Sequence, residues 1–305
     1  MVDFDIYNMD KTPVPIAPTS TVPIPLPTVT HSPPQYEHIT RLGHDTLWVG
    51  FVLMLLSTLA FIGLSWRVPL PKRLFYQVTT YVTLISTFTY YAMATGGGWS
   101  YHHNWVTHGH KHDLPDTHKI VVRQIFWARY AEWLLTTPMI LFNLGALSGL
   151  SGANILNTIL ANVAMIFTGL FSVYSHGGKT KWGWYAMSWF AFLTVGWNLF
   201  TNARATAQKR GVHILYNPLA LWTAIIWTVY LVIWGVSDLG RSLSPDQVTL
   251  AYLVLDFMAK PVFGFWLLLG QGRLSTTHVN VDGFWSDGVG HREGLLRVGE
   301  RDEDA

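Results

Sequence analysis

The chain has 305 residues, 50% of them apolar and only 12% Asp, Glu, Lys or Arg, against roughly 25% charged residues in an average soluble domain. A net charge of +2 with no recurring basic block gives nucleic-acid binding no support, and the absence of cysteine excludes a disulfide framework and a thiolate metal site. Lipid is the solvent this composition fits.

The first 41 residues open with MVDFDIYNMD and continue through KTPVPIAPTSTVPIPLPT. They lack the basic and apolar regions of a cleavable signal peptide, and their Pro and Thr content predicts a disordered tail over 1–41. Seven windows then follow that are long and apolar enough to cross a bilayer as helices, which takes about 20 residues each. They lie near 44–66, 73–95, 120–146, 153–174, 184–205, 217–237 and 249–270. The expected fold is an all-α membrane protein, a seven-transmembrane-helix bundle over residues 42–272. Polar interruptions such as QVTTYVT and TGLFSVYS are expected to face neighbouring helices.

Between the second and third windows, YHHNWVTHGHKHDLPDTH (101–118) carries six of the 13 histidines. With Asp113 and Asp116 nearby, a zinc- or copper-binding or pH-sensing lid is conceivable, but the spacing matches no specific metal motif. The reading adopted is a polar extracellular loop, with no metal site assigned. The loops RVPLPKR (67–73) and ARATAQKRG (203–211) are basic and fall on one side of a seven-helix path, which makes that side cytoplasmic. Lys179 and Lys181 on the other side weaken the bias. The N-terminus is then extracellular and the C-terminus cytoplasmic. The polar, Gly-rich segment 273–305 reads as a flexible cytoplasmic tail, too short to hold an enzyme domain.

Most charges lie near helix ends, but besides Arg129 in the third window three stand well inside: Glu132 in the third, and Asp256 and Lys260 in the seventh. Intramembrane charges face the bundle interior, pair with one another and mark function. Arg129 and Glu132 are three apart and Asp256 and Lys260 four apart, so each pair shares a helix face. Two acids and two bases can form an ion-pair cluster that only fixes helix register. Alternatively, a lysine in a dry pocket forms a Schiff base with an aldehyde, and the resulting cation needs a carboxylate counterion. Trp227, Tyr230 and Trp234 share a face of the sixth window and Trp133 adjoins Glu132; aromatics at this spacing are more often ordinary core, and a facing lysine shifts the reading toward a slot for a flat conjugated ligand.

RYAEWLLTTP (129–138), WTVYLVIW (227–234) and LDFMAK (255–260) resemble the microbial (type 1) rhodopsins, most closely their fungal, bacteriorhodopsin-like branch, over about residues 42–272. The resemblance implies all-trans retinal held as a covalent protonated Schiff base on Lys260, with Glu132 as primary counterion and proton acceptor and Asp256 as second counterion. It implies that Arg129 gates the extracellular side and that Thr136 belongs to the proton-transfer machinery. Trp133, Trp227 and Trp234 would sandwich the polyene, with Tyr230, Tyr90, Thr137, Pro138, Met165, Gly169 and Ser188 around it.

Three departures matter. The acceptor is Glu132, where the pumps usually have aspartate. The cytoplasmic donor position is Asn143, which carries no transferable proton. Leu231 stands where pumps often have proline. Asp238 and Asp246 lie near the extracellular end but off the family's release positions, and are read as solvated loop acids.

The expected function is a light-driven outward proton pump with a slow cycle. The alternative is a slow-cycling photosensor signalling through a cytoplasmic partner, with a light-gated channel third; none of these is an enzyme. The expected surroundings are a lipid bilayer of the plasma membrane, with protons as cargo. Dimers or trimers are common in the family.

Overall fold

The computed structural model describes residues 34–69, 73–108, 117–175 and 178–273. The expected tails at 1–33 and 274–305 and the middle of the histidine-rich loop lie outside the described residues. Seven spanning helices form the bundle. The first four are α1 (Arg41–Trp66), α2 (Leu74–Ala94), α3 (Trp127–Ser148) and α4 (Gly152–Tyr174).

The last three each contain a π-helical turn. The fifth comprises α5 (Gly178–Asn198), a π turn (Leu199–Ala203) and α6 (Arg204–Lys209). The sixth is α7 (His213–Trp234) running into a π turn (Gly235–Leu239). The seventh comprises α8 (Pro245–Phe257), a π turn (Met258–Val262) and α9 (Phe263–Arg273). Four of the seven, Arg41–Trp66, Gly152–Tyr174, His213–Leu239 and Pro245–Gln271, are apolar and long enough to span a bilayer by length and composition alone. The other three carry more polar residues, which the bundle buries. Neighbours in sequence pack together, and α8 closes the ring against α1.

A π turn leaves carbonyls with imperfect partners, and at each of the three a side chain from another helix donates to a carbonyl at or beside the turn. Tyr216 reaches Leu199 O at 2.8 Å, Tyr185 reaches Leu231 O at 2.7 Å and Trp222 Nε1 reaches Met258 O at 3.1 Å. The turn at 258–262 contains Pro261, which has no N–H to give the helix ladder. Lys181 Nζ donates to Leu239 O at 2.8 Å, closing the end of the second turn.

The hydroxyls of the polar interruptions face the bundle interior as expected, but most of their hydrogen bonds are local. Thr79, Thr80, Thr83 and Ser172 are buried, yet Thr80, Thr83 and Ser172 donate to carbonyls three or four residues back in their own helices. This local bonding satisfies a hydroxyl where no water reaches it.

Two stretches differ from the expected elements. The third window was placed from residue 120, but Thr117–Ile125 is a strand, β3, and the helix begins at Trp127. β3 pairs antiparallel with β2 (Ser100–His108) and parallel with β1 (Gln35–Glu37), giving sheet order β1-β3-β2. The histidine-rich loop is therefore entered and left by a hairpin, and the expected disordered tail is ordered at 35–37 and helical from Arg41. Arg123 explains the boundary. It is 3% exposed, paired with Glu37 and with Leu243 O, partners that the strand rather than a helix brings to it.

Candidate functional site

Lys260 sits in the π turn of the seventh helix, 2% exposed, with Asp256 one helical turn before it and Glu132 opposite on α3. Lys260 Nζ donates to Glu132 Oε1 at 2.5 Å and to Asp256 Oδ1 at 2.6 Å. Asp256 also accepts from Tyr90 on Oδ2 at 2.7 Å and from Tyr230 on Oδ1 at 2.6 Å. An ammonium and two carboxylates removed from water are tolerable only when paired and hydrogen-bonded. Here Asp256 is the more heavily bonded acid, while Glu132 Oε2 has no hydrogen-bond partner among the described residues.

Arg129 does not join the cluster as its spacing had led us to expect. It is 4% exposed, its Cζ lies 5.3 Å from the Phe126 ring centre and 5.0 Å from that of Tyr252, and its Nε and Nη2 have no hydrogen-bond partner among the described residues. Cation–π contact is what it has instead.

Two cavities meet at Trp133. The first is walled by Trp133, Ile140, Met165, Trp227, Leu231 and Trp234 and ends at Lys260, with Thr137, Ile166, Tyr230 and Ala259 completing it. Gly169 lies behind Trp234: a Cβ there would collide with Trp234 Cη2, so only glycine lets that indole approach α4 so closely. The Thr137 hydroxyl donates to Trp133 O at 2.6 Å and accepts from Asn162 Nδ2 at 2.7 Å. The second cavity opens toward the sheet end and is lined by Arg123, Arg129, Tyr130, Asp238, Thr249 and Tyr252 among others.

Not every expected residue lines the first cavity. Ser188 is buried and donates to Met165 O at 2.9 Å, so it holds α4 against α5 behind the wall. Pro138 lies inside α3, outside the residues that line the void. Tyr90 acts through Asp256, and Thr136 donates to its own helix at Glu132 O, 2.9 Å. Asn143 is 1% exposed and its Nδ2 donates to Thr79 Oγ1 at 3.2 Å.

Neither outer aspartate is a solvated loop acid. Asp238 accepts from Tyr130 at 3.3 Å and Tyr252 at 3.5 Å. Asp246 accepts from Thr40 N, Thr40 Oγ1 and Gly43 N at 2.8, 2.6 and 3.1 Å, tying the start of α1 to the start of α8.

Sequence reasoning missed Tyr252, whose ring stacks on Tyr230 at 5.9 Å and also meets Arg129. The signal was present: 252, 256 and 260 repeat at four and share one face. It also missed Tyr130, Asn162 and Arg123, which local spacing does not reveal.

The bacteriorhodopsin-like protein family matches residues 43–274. Opsin-1 of Neurospora crassa is 44% identical over 288 residues, covering 93% of this chain and 94% of that protein. Among solved structures, the light-driven proton pump LR (Mac) from Leptosphaeria maculans is 40% identical, with TM-score 0.77, covering 79% of this chain and 98% of that one. A halorhodopsin described as a light-driven chloride pump superposes with TM-score 0.67 at 28% identity, covering 77% and 98%, so the fold alone does not choose the ion. With a spanning helix set closed around one buried lysine, the chain belongs to the bacteriorhodopsin-like family, the microbial rhodopsins, in its fungal branch.

Proposed function

We propose that this protein is a retinal-binding, light-driven outward proton pump in which Glu132 accepts the proton. The observation that carries the reading is Lys260 Nζ, which donates to Glu132 at 2.5 Å and to Asp256 at 2.6 Å at the end of an aromatic-walled cavity. That cavity fits retinal: it is mostly apolar, aromatic-walled where Gly169 lets Trp234 lie close, and presents one amine to an aldehyde end. Condensed with Lys260, retinal supplies a cation whose geometry and proton affinity change when it absorbs light.

The chain's own groups do the rest. Tyr90 and Tyr230 hold Asp256 charged and fixed, leaving Glu132, the less heavily bonded acid, to take up the proton. Neutralising Glu132 removes a negative charge near Arg129, whose unpartnered donors are then drawn toward Asp238 in the outer cavity. The carboxylate at 132 also favours protons over halide, because it places a negative charge where an anion would have to sit.

At the opposite end Asn143 and Thr79 hold each other and neither carries a transferable proton, so reprotonation comes through water from the cytoplasm. Recovery of the dark state is therefore slow and pH-dependent. The sheet end faces outside, the basic loops face the cytoplasm, and the protein resides in the plasma membrane with residues 1–41 outside, 42–272 forming the retinal-binding bundle and 273–305 inside.

A second reading, a slow photosensor working through a partner, is favoured by the same Asn143. Photocurrent under continuous light at zero driving force separates the two. A sustained outward proton current is expected; a transient alone would leave the sensor, and a current that reverses with voltage would mean a channel.

A further inference from the structure

We propose that Glu37, on the N-terminal strand β1, is the outermost carboxylate of the proton exit, coupled by buried Arg123 to the cavity that holds Asp238. This rests on the pump reading and names the exit of that same pathway.

Arg123 is a guanidinium almost wholly removed from water, which requires compensation. One face of it lines the outer cavity with Arg129 and Asp238. Its Nη1 stands 3.5 Å from Glu37 Oε2, and its Nη2 donates to Leu243 O at 2.8 Å. A single side chain thus touches both the cavity and β1.

Glu37 is suited to hand a proton outward. Its Oε2 is buried and has no hydrogen-bond partner among the described residues, Arg123 Nη1 standing 3.5 Å away as an ion-pair contact, so a lone pair is open to a proton. The side chain as a whole is 30% exposed, so the same carboxyl reaches solvent. β1 is firmly held for this purpose. Glu37 lies opposite Arg123 in the parallel register, Ile39 N donates to Gln124 Oε1 at 3.0 Å, and Thr40 is tied to Asp246.

The transfer moves only a proton. Asp238 takes it up in the cavity, Glu37 receives it, and water removes it, each carboxylate returning to its ionised form. The charges that face the pair are Arg123 and Arg129 beside Asp238, and Arg123 and Arg241 beside Glu37.

The test uses the full chain loaded with all-trans retinal in vesicles, a pH-indicating dye in the external solution and a light flash. Glu37→Gln is expected to delay proton appearance outside by about 10²-fold, the low end for a positioned proton carrier, with the visible absorption maximum unchanged. Glu37→Asp, which keeps a carboxylate, is expected to restore most of the rate. Release at the unaltered time in Glu37→Gln would overturn the proposal while leaving the pump intact. Equal delay in Glu37→Gln and Glu37→Asp would overturn it too, by assigning Glu37 a purely structural part. No proton release from the unsubstituted protein would overturn this proposal and the pump together.

Discussion

Lys260 decides the chemistry because it is a charge in a place where charge is expensive, and it is tolerated there only through Glu132 and Asp256. Removing one member of such a buried set costs about 3–5 kcal/mol. Asp256→Asn, which also strands Tyr90 and Tyr230, is therefore expected to lower the thermal midpoint markedly, as followed by loss of visible absorption on heating. Gly169→Ala drives a methyl into Trp234; overpacking of this kind costs about 1–3 kcal/mol, and a smaller yield of pigment on adding all-trans retinal is the expected readout. In the proposed cycle the rate falls to Asn143. With protons drawn from bulk water, recovery in the unsubstituted protein is expected to slow about tenfold per unit rise between about pH 5 and 8. Asn143→Asp, placing a carboxyl beside Thr79, is expected to make recovery faster and flatter with pH. A flash experiment showing fast, pH-independent recovery with Asn143 in place would contradict this.

Among elements, the seventh helix shows how far local pattern reaches. Apolar length placed it, because a segment in lipid must satisfy its own backbone over about 20 residues, and the spacing of 256 and 260 put both charges on one face. The π turn at 258–262 was not legible, since it depends on Pro261 together with Trp222, a donor 36 residues away from Met258. The third window shows the opposite failure. IVVRQI is apolar enough to extend a spanning segment, but its pairing with 100–108 and 35–37 makes it a strand, and pairing between distant segments leaves no local trace. Asp246 was read as a loop acid for the same reason, its partners Thr40 and Gly43 lying more than two hundred residues away. Asp246→Ala removes three hydrogen bonds from the start of α1, and a loss of about 1–2 kcal/mol in unfolding stability is expected from thermal denaturation.

Across the whole molecule the two ends differ. At the sheet end a cavity holds Arg123, Arg129 and Asp238 and is flanked by Glu37; on the other side Asn143 and Thr79 form a neutral pair. In the proposed pump a proton leaving Lys260 finds carboxylates toward the sheet end, whereas among the described residues no Asp or Glu lies on the Asn143 side, which is the asymmetry a vectorial pump needs. The proposed orientation follows from the basic loops, and an epitope at the N-terminus of intact cells is expected to be labelled from outside, one at the C-terminus only after permeabilisation. The central claim, that Glu132 receives the proton, is tested most directly by light-minus-dark infrared difference spectroscopy of the retinal-loaded protein and its Glu132→Gln and Asp256→Asn variants. A protonated-carboxyl signal is expected to appear on illumination, to persist in Asp256→Asn and to vanish in Glu132→Gln. A signal that survives Glu132→Gln and vanishes in Asp256→Asn would place the acceptor on the seventh helix and contradict the mechanism.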